Sequence, residues 1–468
     1  FTTAELEALA ERFLRRPIRL ADVEELRQRI TRAYIDRGHI SSGAVLPADA
    51  FAQFERDGSL RLRVVEGVVS QVVQQGLQRL DPTYIASRLV REREILDVNV
   101  LQDRFRLLLA DPLFDSLNAR LRPGDEPGRS TVEVDVVRAP AARFSLFANN
   151  HLAPAVGSSV GGVEGTLRNL TGWGDTLTGT LASSGGSDSH DLHWTLPLAA
   201  RRTTLGLHVA RGSSSVIEEP LKALDVGSTV DTRELTVSHP VVDESRRRLS
   251  LGLTWSQRRN RTTIGGEPFS FVAGENSGTT EVRAWRFFQD LVMRFDTHVL
   301  ALRSTFVSGR NNLPDPPVLS SQPRRDYRLW IGQAQASFDA GGDGGSWVLR
   351  GQVQRSGDAL LPLEHMSLGG RHTVRGYREN QLVRDNAYAL SAEYHWPLLR
   401  SDTSRQSLTL VPFVDLGGAN DHAGEHRRLA SAGLGLQWTF ADLEAEVFAA
   451  RRLLRRPTDS SGDLQDRG

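Results

Sequence analysis

Cysteine is absent from the 468 residues, so neither a disulfide-stapled small domain nor cysteine-ligated metal or thiol chemistry is open to this chain. Lysine occurs once, at Lys222, among 57 basic residues. Nearly all the positive charge is therefore arginine, which stays ionised in any surroundings and forks onto carboxylates. Neither charge is in excess, with 57 acidic side chains to match, which argues against a general nucleic-acid binder. Long apolar runs are missing too: none reaches the roughly 18 uncharged residues of a spanning helix. What remains is 39% hydrophobic and 24% charged, too apolar for a disordered chain. The chain opens at Phe1 rather than Met and closes after a polar stretch at 457–463. It reads as processed or truncated, so the lack of a signal peptide does not argue against export.

The first 140 residues read as two small α+β modules, 1–67 and 68–140. Leu6, Leu9 and Phe13 share one helix face over residues 3–14. A second helix is expected from Asp22, capped by that carboxylate with Glu25 closing a capping box. It should bury Val23, Leu26, Ile30 and Tyr34 and stop at Gly38. Strand patterns follow at 40–46 and over Leu60, Leu62 and Val64. The grammar then recurs: a strand at 68–74, helices at 82–90 and from Asp97, and strands near 117–121 and at Val132, Val134 and Val136. A turn at 123–128 parts these last two. The first module lacks the opening strand that the second has.

From Arg143 onward the period changes to two. Leu192, Trp194, Leu196 and Leu198 alternate with polar or small neighbours, as do Leu249, Leu251, Leu253 and Trp255, and late in the chain Leu434, Leu436, Trp438 and Phe440. Segments of about ten residues, apolar on one face and polar on the other, are the signature of a transmembrane β-barrel. Roughly fifteen are present through Arg452, and bacterial barrels have even strand numbers, so a sixteenth is expected beyond Gly468. The polar stretch from Pro457 is then an extracellular loop. A soluble sandwich or propeller also alternates. Against it stand the number of consecutive segments, the lack of a blade-like repeat, and charges such as Glu444 and Glu446 on polar faces, which a wet lumen tolerates.

Few motifs suggest chemistry. Residues 157–161 match G-x-S-x-G, but the flanks are strand-like where the hydrolase elbow needs a helix. The glycine run 341–345 lacks the Lys-Ser/Thr of a phosphate loop and reads as a hairpin turn. The twelve histidines show no metal-site spacing. The most informative stretch is 367–380, too long and too rich in Gly and Arg for a tight turn. In the strands after it, Ser391, Glu393 and His395 share one face, and so do Thr409, Val411, Phe413 and Asp415. Parity places Glu393 and Asp415 in the lumen, where two acids need a cation. Arg375, on a loop long enough to fold inward, can supply a bidentate guanidinium. The other reading is an exposed loop whose Arg never meets Asp415.

At these residues the chain resembles a known family. Val374-Arg375-Gly376-Tyr377 resembles the sixth-loop signature of outer-membrane transporters of two-partner secretion (ShlB/FhaC/HecB type), relatives of the barrel-assembly insertases. Phe413-Val414-Asp415-Leu416-Gly417 resembles the strand motif whose Asp receives that Arg, and residues 392–397, containing Glu393, resemble the strand between. Residues 34–40, with Tyr34 and Gly38, and Val65-Glu66-Gly67 resemble the first polypeptide-transport-associated (POTRA) domain. Residues 121–124 and 127–130 resemble the second.

The resemblance implies α+β POTRA modules followed by an all-β barrel of 16 antiparallel strands, of which 141–468 hold all but the last, with a long inward-folding loop at about 356–386. It implies a bacterial outer-membrane channel with periplasmic POTRA domains, monomeric and embedded in outer-membrane lipid. Such a channel recognises a large secreted partner by its amino-terminal secretion domain and passes it, unfolded and without ATP, to the cell surface (type V secretion). No enzymatic activity, cofactor, metal or nucleic-acid partner is expected. The alternative is an outer-membrane assembly factor, which shares the loop motif but usually carries more than two modules. The resemblance also implies a plug helix and linker ahead of the modules and a terminal strand, all three expected to lie outside residues 1–468.

Overall fold

The computed structural model describes residues 1–13, 16–198, 202–315, 322–342, 344–422, 424–454 and 463–466, leaving out the Asp57 side chain. They form two compact units, the first built mainly from Phe1–Ala141 and the second from the chain after it.

In the first unit, α1 (Thr3–Ala10) starts at a reciprocal cap: Thr2 Oγ1 accepts from Glu5 N at 3.3 Å and Glu5 Oε2 from Thr2 N at 2.7 Å. Leu14, the expected end of this helix, lies outside the described residues. α2 (Leu20–Asp36) begins two residues earlier than its pattern suggests. Asp22 is its third residue and reaches back to accept from Arg19 N at 2.8 Å, while Glu25 pairs with Arg12 instead of capping. Val23, Ile30 and Tyr34 are buried, Leu26 packs beside them, and the chain turns at Gly38 with φ +93°.

β1 (Gly43–Val45) and β2 (Arg63–Val65) make only three register pairs. They are shorter than the strands expected at 40–46 and 60–65, and between them lies α3 (Ala50–Asp57), a helix that alternation did not reveal. Its Ala50 is buried, while Phe51 and Phe54 are both exposed. Beyond them β3 (Val68–Gln75), α4 (Thr83–Leu89), α5 (Val98–Leu109), β4 (Phe114–Pro123) and β5 (Arg129–Arg138) follow the expected order. The sheet runs β3-β5-β4, with β3 parallel and β4 antiparallel to β5. Ile85, Leu89, Leu108, Leu117, Val132 and Val134 fill its core. Tyr84 donates to Asp111 Oδ2 at 2.7 Å, and burial pushes its hydroxyl above the usual tyrosine range, so it does so as a neutral phenol.

In the second unit β6 (Ala142–Asn149), β7 (Val160–Arg168), β8 (Thr176–Ser183) and β9 (Ser187–Leu198) pair antiparallel in chain order. β10 (Thr203–Ser215), β11 (Val226–Asp243) and β12 (Arg247–Ile264) continue the path. The two-residue β13 (Glu267–Pro268) pairs on β12 and brings the sheet to sixteen strands. β14 (Thr279–Arg294), β15 (His298–Asn311), β16 (Asp326–Asp339) and β17 (Ser346–Ser356) come next. After a loop holding the small ladder of β18 (Met366–Leu368) and β19 (Leu382–Arg384), the path ends with β20 (Asn386–Ser401), β21 (Gln406–Asn420), β22 (Arg427–Phe440) and β23 (Leu443–Arg452).

β11 and β12 run to 18 residues, longer than the ten-residue segments read from alternation, because the apolar stripe marks only the part that faces lipid. Connections at 244–246, 295–297, 402–405 and 441–442 are short, and those at the other end, 265–278, 312–325 and 357–385, are long. Outer-membrane barrels show this asymmetry, with short turns toward the periplasm. Alternate residues such as Leu390, Trp396, Val414, Leu416, Leu434 and Leu436 stand exposed on the outer face.

Candidate functional site

Residues 357–385 fold onto the polar face of the sheet, and local chemistry explains how. Gly369 and Gly370 have φ of +108° and +91°, and Thr373 Oγ1 both accepts from Gly369 N at 2.8 Å and donates to Gly369 O at 3.0 Å, closing a tight bend. β18 and β19 pair at the base of this tip. Leu368, Val374, Tyr377 and Leu382 form its apolar side and pack on Ala387, Ala389, Ala419 and Leu429 of the wall. The wall is built from small residues where the loop lies: Ala387 faces Ala419 and Ala389 faces Gly417 across β20 and β21.

Beside that small-residue surface sits the charge cluster. Register pairs Ser391 with Asp415 and Glu393 with Phe413, so all four point to one face. Arg375 enters from the loop. Its Nε donates to Asp415 Oδ2 at 2.8 Å, Nη2 to Asp415 Oδ1 at 2.7 Å and to Ser391 Oγ at 3.0 Å, and Nη1 to Glu393 Oε1 at 2.7 Å. Its backbone N–H adds a bond to Asp415 Oδ2 at 3.0 Å. The guanidinium also lies 3.5 Å from the Phe413 ring centroid.

Arg375, Asp415 and Glu393 are 4%, 0% and 2% exposed, so burial must be offset by pairing. Arg350 supplies the second cation, 2.7 Å from Glu393 Oε1, and the two acids are thereby matched by two arginines. A lysine could not fill this place, since four of the five guanidinium N–H positions are engaged in one plane.

The neighbouring motif residues complete the seat. Val374 is fully buried. Gly376 has φ +84°, and a Cβ there would stand 2.9 Å from Ala450 Cβ. The Tyr377 hydroxyl lies 2.6 Å from Leu454 O, to which it donates, and 3.0 Å from Ala430 O. Arg371 forks onto Glu446 with two contacts of 2.6 Å.

A second clamp escaped the sequence reading. Glu364, near the start of the loop, is buried against Arg286 of β14, whose Nε also donates to Ser256 Oγ at 3.1 Å. Leu360 and Leu361 sit with Val282, Val307, Tyr327 and Leu329 beside it. Asp385 accepts from Leu360 N at 2.9 Å and His422 N at 3.0 Å and lies 3.0 Å from His365. The loop is thus tied to β14 near its start and to β20 and β21 at its tip. The signal was a lone acid in Pro362-Leu363-Glu364 and a polar-face Arg between Trp285 and Phe287, too sparse without the register.

The remaining candidates lie elsewhere. Tyr34, Gly38, Glu66 and Gly67 belong to the first unit. Gly38 O accepts from Val98 N at 2.9 Å and Gly67 O from Leu96 N at 2.7 Å, so two of these residues tie α2 and β2 to the start of α5. Tyr34 is buried with its ring 4.5 Å from Phe1, while Glu66 is exposed. In the G-x-S-x-G segment Ser158 donates to Asp463 Oδ2 at 2.6 Å and β7 follows directly, which is not an elbow. The glycine run 341–345 turns between β16 and β17, with Asp343 outside the described residues. His208 lies 2.7 Å from Asp191 and 3.3 Å from Glu234. Among the described residues no group of three or more His, Asp or Glu could hold a metal ion. Of the polar tail, 457–462 lies outside the described residues.

With this geometry in place, comparison with known proteins decides the family. Residues 128–438 match the haemolysin secretion/activation protein ShlB/FhaC/HecB family, and residues 1–67 match the ShlB-type POTRA domain. The chain belongs to the ShlB/FhaC/HecB family. It is an outer-membrane transporter of two-partner secretion, with its POTRA region in the periplasm.

Among named relatives of this ShlB/FhaC/HecB member, the outer membrane transporter CdiB of Dickeya dadantii (strain 3937) is 21% identical over 437 residues, covering 91% of this chain and 75% of that one. A solved CdiB from Escherichia coli superposes with a TM-score of 0.75 at 19% identity, covering 97% of this chain and 84% of the other. BamA from Haemophilus ducreyi, lacking its POTRA domains 1–3, superposes with a TM-score of 0.56 at 12% identity, covering 97% and 95%, a likeness of fold alone.

Proposed function

We propose that this transporter recognises one large secreted partner in the periplasm and passes it outward, unfolded and without ATP, through the lumen of a monomeric barrel set in lipid. The observation that carries this reading is the buried Arg375 cluster, which seats a long loop beside a cavity of about 750 Å³ whose polar lining includes Arg248, Arg303, Gln333, Gln335, Arg350 and Gln352. Such side chains suit an extended polypeptide, whose peptide groups find donors and acceptors among them. The loop anchor, Arg375 with Asp415 and Glu393, holds the shape of the conducting wall, with Val374, Gly376, Tyr377, Phe413 and Gly417 packing around it.

We read the first unit as two POTRA modules, 1–67 and 68–140. β3 is an edge of its three-stranded sheet, which offers unpaired backbone groups to an extended segment of the partner's amino-terminal secretion domain. Folding of the partner outside the cell supplies the driving force. Transport rather than catalysis is the role of the lumen. An assembly role shares the fold of BamA, but the family match is to secretion proteins.

The test is depletion in cells that make a candidate partner. Loss of the partner from the medium, with other outer-membrane barrels at normal levels, is expected. Normal export together with a general shortage of assembled barrels would overturn the reading in favour of assembly.

A further inference from the structure

The outer face of β14–β17 carries charge in an unexpected place. Cross-strand register aligns Leu253, Phe287, Phe306, Trp330 and Arg355 in one row, and Trp285, Ser308 and Arg328 in the next row toward the long-loop end. Directly paired residues share a face, and Trp285, Phe287 and Phe306 stand exposed on this one. Arg328 is the third residue of β16 and Arg355 the second-last of β17, so both lie at the extracellular rim of the apolar band.

A cleft of about 490 Å³ opens between them, walled by the aromatic residues of the two rows. Two outward arginines nearby are paired: Arg310 sits 2.6 Å from Asp326 and Arg283 2.7 Å from Glu281. Asp358 accepts from the backbone N–H of Arg328 at 2.9 Å. Neither the Arg328 nor the Arg355 guanidinium has a hydrogen-bond or ion-pair partner among the described residues, and both are exposed.

We propose that Arg328 and Arg355 bind the phosphate of an anionic glycolipid of the outer leaflet, whose acyl chains lie along Phe306, Trp330 and Leu253. Two guanidinium forks on adjacent strands match a phosphate group, which each can engage through parallel N–H bonds. Arginine facing lipid is strongly unfavourable at the membrane midplane and tolerated at the interface, where headgroups meet it. The aromatic side chains of the same two rows are placed as an interfacial belt. The cleft's apolar wall is open to the bilayer, which selects a phosphate that carries chains over a free anion. β17 leads directly into the loop at 357–385, so a lipid held here steadies the strand from which the loop departs. The inference rests on the outer-membrane placement of the barrel and not on which protein crosses it.

The experiment is native mass spectrometry of the purified full-length protein incubated with bis-phosphorylated lipid A. Retained lipid should fall roughly tenfold for each charge-assisted fork removed, about a hundredfold in the Arg328→Gln/Arg355→Gln variant, and by less in the Arg328→Lys/Arg355→Lys variant, which keeps both charges but loses both forks. On the unaltered protein, dephosphorylated lipid A should be retained far less, a comparison that needs no variant to fold. Excess inorganic phosphate should not displace the lipid. Equal retention by the glutamine variant, equal retention of the dephosphorylated lipid, or displacement by inorganic phosphate would each overturn the proposal.

Discussion

Val374 of the loop fills the space that a side chain at Gly417 would need: a Cβ added to Gly417 would stand 2.9 Å from Val374 Cγ2 and 3.3 Å from Leu368 Cδ1. Loop and wall are therefore fitted to each other by shape as well as by charge. Gly417→Val should lift the tip without altering any ionisable group, at an overpacking penalty of about 1–3 kcal/mol. In planar bilayers this variant should show more frequent large-conductance states than the unaltered protein. Unchanged conductance would mean that the packing does not hold the loop.

Arg375→Lys keeps the charge but loses the fork. Because Asp415 and Glu393 are buried, removal of their shared partner in Arg375→Ala should destabilise the cluster by about 3–5 kcal/mol. The lysine variant should recover only a minority of that, since one ammonium cannot reach both Asp415 oxygens, Ser391 and Glu393 in one plane. Thermal unfolding of the three proteins in detergent, compared side by side, checks the order.

Glu364→Gln removes charge from the second clamp while leaving the Arg375 cluster intact. Arg286 then lies buried with a neutral partner, and the start of the loop should loosen before its tip does. Protease added outside intact cells should cut near 357–365 sooner than in the parent, while export falls less than in Arg375→Ala. Equal protection of the two proteins would show that this contact holds nothing.

In the first unit, Gly38 combines φ +93° with a close neighbour: a Cβ there would meet Asn99 Nδ2 at 2.5 Å and Asp97 Oδ1 at 2.7 Å. Gly38→Val should destabilise this joint by more than about 1 kcal/mol. Limited proteolysis of the full chain should then show faster cleavage near 67. Cleavage at the parental rate would contradict the close approach.

The parts legible in the sequence are those where one face meets a uniform environment. Leu434, Leu436 and Phe440 alternate with glycine and polar residues because lipid lies on one side and water on the other. α3 was missed although Ala50, Phe51 and Phe54 have helical spacing, because eight residues are too few for that spacing to stand out. Asp415 and Glu393 were found by parity, and Arg375 by the need for a cation beside them. Arg286 and Glu364 are 78 residues apart, and their meeting depends on how far the loop runs along the wall, which no local pattern encodes. The small residues Ala387, Ala389 and Ala419 likewise gain meaning only once the loop is laid on them.

The most direct test of the account is export itself. Cells carrying the full-length protein, or its Arg375→Ala variant at equal outer-membrane level, would be supplied with the amino-terminal segment of a candidate partner and the medium assayed. The account predicts partner in the medium with the parent and a large loss with the variant, while the barrel still inserts. Export by Arg375→Ala at the parental rate would contradict the claim that the Arg375–Asp415 anchor holds the conducting shape.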